Sequence, residues 1–119
     1  MKPLHNPETF LNRFNYFKNG EFRSIEIINP TTITVSFAGQ DEALEYDWKT
    51  IHFEFSGVQD AKLLDDSKCL FVNMEDGVSI IKSNNSISFG IGKCSEISAI
   101  KTSSFFIEAK SIKYTESSF

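Results

Sequence analysis

The sequence predicts an α+β domain, mainly antiparallel β: a curved sheet or partly open barrel of about eight short strands with one N-terminal helix packed on it. Three observations point there. Apolar residues recur at the helical period only between residues 7 and 18. After Gly20 they alternate with polar residues in segment after segment. Between the segments stand short clusters of Asn, Asp, Gly and Pro, which accept turn conformations.

The helix is predicted over residues 7–18. Phe10, Leu11, Phe14 and Phe17 share one face at a spacing of i, i+1, i+4 and i+7. Asn6 is placed to cap it, and Pro7 stands where a missing N–H costs nothing. Asn19-Gly20 supplies the stop. Asn12, Arg13, Asn15 and Lys18 form the polar face. Three phenylalanines on one stripe need burial, so the helix is expected to lie across a sheet.

The strands follow at a period of two. Ile25 and Ile27, then Ile33, Val35 and Phe37, then Ile51, Phe53 and Phe55, then Ile87, Phe89 and Ile91 alternate with polar neighbours. Each set reads as a half-buried antiparallel strand. Shorter strands are predicted at 60–64, 69–73, 77–82 and 105–114. In the last, Phe105, Ile107 and Ala109 share one parity while Ile112 and Tyr114 share the other, and a bulge near 109–111 would reconcile them. Asn29-Pro30, Glu75-Asp76-Gly77 and Asn84-Asn85 read as hairpin turns. Residues 39–50 and 93–104 lack clear periodicity; the first reads as an acidic loop or short helical turn. Residues 115–119 are expected to fray.

The chain of 119 residues is one domain on size, with strand-rich sequence over 21–114. Its twelve phenylalanines argue against disorder. Twelve basic and sixteen acidic residues leave a net charge of −4. The basic residues form no cluster, so no nucleic-acid partner is expected, because phosphate binding needs a basic face. The acids are less even. Residues 40–66 carry −6, and the remainder therefore +2. No run approaches the roughly 18 apolar residues of a membrane span, and the N-terminus lacks the apolar stretch of a secretion signal. A cytoplasmic protein with no membrane partner is the expectation.

Candidate chemistry is sparse. Cys69 and Cys94 stand 25 residues apart without a CxxC, and two reduced thiols are expected in place of a metal site. No metal and no cofactor are expected. His52 shares a strand face with Glu54, an acid/base pair only if both line a cleft. Gly90-Ile91-Gly92-Lys93 lies inside a strand pattern and reads as a bend, not a phosphate loop. No nucleophile elbow is present. The chain is therefore not expected to be an enzyme, and no catalytic residue is assigned.

One segment differs in kind. Asp41, Glu42, Glu45 and Asp47 surround Leu44, Tyr46 and Trp48. Acids interleaved with large amphipathic aromatics have the composition of a protein-interaction surface, where the rings anchor and the charge steers. The same residues also read as a solvated loop whose Leu44 and Trp48 turn back into the core. Asp41, Glu42, Glu45, Tyr46, Asp47 and Trp48 are the candidate partner-binding residues, and a basic protein is the natural complement.

The order of features resembles small uncharacterised bacterial domains and the immunity proteins of contact-dependent toxin systems. The resemblance rests on Phe14-x-x-Phe17 before Gly20-Glu21, then Ser24-Ile25-Glu26-Ile27. It continues through Trp48-x-x-Ile51-x-Phe53-x-Phe55-x-Gly57-Val58 to Ser104-Phe105-Phe106-Ile107 with Ile112-x-Tyr114. Related families often carry a His-Asp pair where this chain has Gly20-Glu21, and no site residue is carried over. The resemblance implies a small acidic inhibitor that neutralises a partner by binding. Two functions are thus expected in order: a non-enzymatic protein-binding domain of the immunity or inhibitor type, and a small-molecule carrier with a Phe-lined cavity in a curved sheet. An exposed sheet edge also leaves a homodimer open.

Overall fold

The alternating strands close over one another as two antiparallel sheets, in a computed structural model that describes all 119 residues. In chain order the elements are β1 (Lys2–Pro3), α1 (Pro7–Arg13), β2 (Glu21–Asn29), β3 (Thr32–Asp41), β4 (Asp47–Ser56), β5 (Asp60–Lys62), β6 (Val78–Lys82), β7 (Ile87–Ile91), α2 (Ile97–Lys101), β8 (Phe106–Ala109) and β9 (Ser111–Ser118). The first sheet runs β1-β9-β4-β3-β2 and the second β5-β8-β7-β6. Neither closes into a barrel.

The core lies between the sheets because the odd-numbered apolar residues of β3, β4 and β7 all point there. Ile33, Val35 and Phe37, Ile51, Phe53 and Phe55, and Ile87, Phe89 and Ile91 are all buried. Phe89 of the second sheet meets three rings of the first, with centroids 5.5 Å from Phe37, 5.8 Å from Phe53 and 5.4 Å from Phe55. The α1 stripe closes over the same rings. Phe10 lies 5.9 Å from Phe53 and 4.5 Å from Tyr114, and Phe17 lies 5.7 Å from Phe37. Asn6 caps α1 by accepting from Thr9 N at 3.2 Å.

The helix is shorter than its apolar stripe predicts. It ends at Arg13, and Asn15, Tyr16 and Phe17 turn left-handed with φ of 51°, 58° and 57°. Main-chain bonds three residues apart hold this turn, Phe17 N to Phe14 O and Lys18 N to Asn15 O, both at 3.0 Å. Left-handed backbone costs about 1–2 kcal/mol per residue outside glycine. The turn brings Phe17 flat against Phe14, with centroids 5.2 Å apart. Burying two such rings offsets the strain, at roughly 1.5–3 kcal/mol each.

Four other expectations are corrected. Residues 69–73 do not form a strand: Asp66–Phe71 is a 3-10 turn lying against β2. Only Cys69 is buried there, and Asp66 Oδ1 accepts from Ile25 N at 2.8 Å, so the segment caps a sheet edge through a side chain. The parity switch in 105–114 is a change of sheet, not a bulge, because β8 belongs to the second sheet and β9 to the first. Lys110 joins them, its N–H directed at Ser56 O (3.1 Å) and Gly57 O (3.2 Å). The C-terminus does not fray: β9 pairs with β4 as far as Lys49 opposite Ser118, and Phe119 packs 5.4 Å from Trp48. Finally, Ile27 is 62% exposed although its partner Ile33 is buried. Ile33 lies between two strands, whereas Ile27 stands on the edge strand.

Candidate functional site

The acidic segment forms the tip of the β3–β4 hairpin. The two strands stay in register from Thr32 opposite Ser56 to Asp41 opposite Asp47. β2 joins only at Ala38, opposite Glu21, so the hairpin projects past its neighbour. A 3-10 turn, Glu42–Leu44, crosses the tip. Asp41 Oδ1 accepts from Ala43 N at 3.0 Å, and Tyr46 N donates to Asp41 O at 2.8 Å. Glu45 and Tyr46 take left-handed backbone, with φ of 55° and 65°.

The side chains divide at Asp41. Its carboxylate is 0% exposed and is not a surface acid as expected. Arg13 grips it with two parallel bonds, Nε to Oδ1 at 2.8 Å and Nη2 to Oδ2 at 2.6 Å. The same guanidinium reaches Glu116 through Nη1 (3.1 Å) and Nη2 (2.7 Å), and its carbon lies 4.8 Å over the Phe14 ring. Lys49 Nζ adds a looser contact to Glu116 at 3.6 Å. The Arg13 hydrogen bonds hold both carboxyls below their usual range. They also raise Arg13 above its ordinary value. The other candidates face solvent. Glu42, Glu45 and Asp47 are exposed, as are Leu44, Tyr46 and Trp48. Trp48 leans on Phe119, whose ring lies 5.0 Å beneath the Arg23 guanidinium. The rings therefore stand outside the core.

Beside the tip is a cleft of about 280 Å³, walled by the hairpin on one side and by the end of α1 and the left-handed turn on the other. Composition did not single out Arg13, Glu116 or the cleft residues Asn12, Asn15, Lys18 and Gln40 as a group. The polar face opposite the phenylalanine stripe was the only signal for Asn12, Arg13, Asn15 and Lys18, and Gln40 had none; Glu116 lies 103 residues from Arg13, beyond any local pattern.

The remaining candidates do not converge. His52 Nε2 pairs with Ser117 Oγ at 3.0 Å on the outer face of the first sheet, while Glu54 stands opposite Lys113. Gly90 lies within β7, where a Cβ would press on Ile100. Both cysteines are free thiols, and burial pushes Cys69 up to about 11 and raises Cys94. Such thiols stay protonated at neutral pH and are poor nucleophiles. No group of three or more His, Cys, Asp or Glu side chains is placed to hold a metal ion. No helix is long and apolar enough to cross a membrane. The interior phenylalanines pack ring on ring, from 4.5 Å (Phe22–Phe37) to 6.4 Å (Phe53–Phe55), in the space between the sheets that a carrier cavity would need.

No family model, no curated protein and no solved structure matches this chain.

Proposed function

We propose that this chain is a non-enzymatic binding module of the immunity or inhibitor type, acting in the cytoplasm, which meets a basic partner protein with the tip of the β3–β4 hairpin. One observation carries the reading: Leu44, Tyr46 and Trp48 are 44%, 60% and 38% exposed within residues 42–48, which also present Glu42, Glu45 and Asp47. Exposed apolar side chains gathered on one patch and rimmed by polar residues mark interaction surfaces. Tyr and Trp are the residues that anchor interfaces, and a rim of one charge steers an oppositely charged partner. The Arg13–Asp41 clamp supports the same reading. It fixes the residue from which the tip turn springs before contact, so less ordering is lost on binding.

The test is a photoreactive residue at position 46, with a second variant carrying it at position 113, at the opposite end of β9. A partner captured from position 46 and not from 113 is the expected result. Reversing the charge of Glu42, Glu45 and Asp47 together should then weaken that complex more than about tenfold at low salt, with most of the loss gone at high salt. Unchanged affinity after the triple reversal would sink the hairpin surface. Asp41 is left intact, because its substitution would disturb the fold.

A further inference from the structure

The cleft beside the hairpin has chemistry of its own. Because Asp41 O accepts from Tyr46 N, residue 41 turns its peptide groups toward β4. Antiparallel strands alternate, so the N–H and C=O of Gln40 point the other way, toward the side where β2 has not yet joined. The left-handed turn occupies that side, and its bend leaves room for a ligand. The cleft thus presents a main-chain donor and acceptor together with the amides of Asn12, Asn15 and Gln40. None of these three side chains is drawn into the Arg13 network or the tip turn.

The charge of the lining decides which ligand class fits. Arg13 and Lys49 together balance Asp41 and Glu116. One cation, Lys18, and one anion, Glu42, remain, so neither an anion nor a cation is selected. Three of the five neutral polar side chains are planar amides, which donate and accept alike. Tyr46 and Trp48 add an aromatic wall, with the Trp48 ring packed against Phe119. A neutral ligand with many hydroxyls and one apolar C–H face matches all three features. We propose that this cleft binds a single pyranose sugar ring, its hydroxyls on the amides of Asn12 and Gln40 and its C–H face on Trp48. Asn15, the first of the three left-handed residues, lines the cleft, which accords with this, since backbone strain concentrates at binding sites.

Trp48 is the only tryptophan, so its emission reads the cleft directly. The full chain is titrated with glucose, galactose, mannose and N-acetylglucosamine. A saturable change with at least one of them is expected. Asn12→Ala and Gln40→Ala, both on exposed positions, should each weaken it by about fivefold, the worth of one neutral hydrogen bond. Lys113→Ala, far along β9, should leave it unchanged. No saturable response to any of the four sugars, or equal responses in Asn12→Ala, Gln40→Ala and the parent, would overturn the assignment. So would a response to L-arginine amide without a response to sugars, which would make the cleft a seat for a cationic side chain. These titrations need no protein partner, so they succeed or fail separately from the crosslinking at position 46.

Discussion

Arg13 makes four hydrogen bonds to two carboxylates that lie 28 and 103 residues away in sequence. Removing it would leave Asp41 buried and uncompensated, and breaking a buried pair from one side costs more than the pair contributes. Arg13→Ala should therefore destabilise the fold by about 3 kcal/mol, read from chemical denaturation. Acid should act on the same contacts. Asp41 and Glu116 have folded-state pKa values below their ordinary 3.8 and 4.5. The stability they contribute is fully present above those ordinary values and is lost as pH falls through the lowered ones. The melting temperature should thus fall steeply below about pH 4, and Arg13→Ala should flatten that fall because its carboxyls are no longer held low. An equally steep acid limb in the variant would refute the linkage. At this scale the sequence was legible in part. The acids and aromatics of 41–48 stood out by composition. That Asp41 turns inward while Glu42 turns outward was not legible, because the partner that pulls it in is distant along the chain.

The left-handed turn after α1 is held from outside as well as within. Asn19 N donates to Met74 O at 2.7 Å, and Gly77 N donates to the same oxygen at 3.0 Å. Gly77 has φ of +69°, and a Cβ there would collide with the main-chain oxygen of Tyr16. Gly77→Ala combines an unfavourable backbone with a clash, and should cost about 2–3 kcal/mol. A thermal melt reads the loss; a shift within error of the parent would show that the turn is not braced by this contact. The elements also show where periodicity misleads. The Phe10–Phe14–Phe17 stripe identified the buried face correctly, yet the helix carrying it stops four residues before Phe17. Apolar spacing reports which side chains need cover, not the handedness of the backbone that delivers them. Cys69-Leu70-Phe71-Val72 looked like a strand by composition. It became an edge cap because Asp66 could satisfy a free N–H of β2.

Across the whole molecule, stability concentrates where the two sheets meet. Phe89 is 0% exposed, joins Phe37, Phe53 and Phe55 across the interface and packs against Phe105 beside it. Phe89→Ala should cost about 3–5 kcal/mol, since so many fixed rings cannot collapse into the space it leaves. The loss should appear as a lower denaturation midpoint with an unchanged slope. A cost under about 1 kcal/mol would mean that the sheets do not share one core. The sequence by itself determined the class of fold, the positions of most strands and the inward face of each central one, because alternation is a local property that every two residues renew. Only the tertiary structure decided that there are two sheets, that the chain crosses between them at Lys110, that Ile27 faces water, and that Arg13, Asp41 and Glu116 form one network beside a cleft. Those outcomes depend on which distant segments become neighbours, and burial and pairing are settled by neighbours in space.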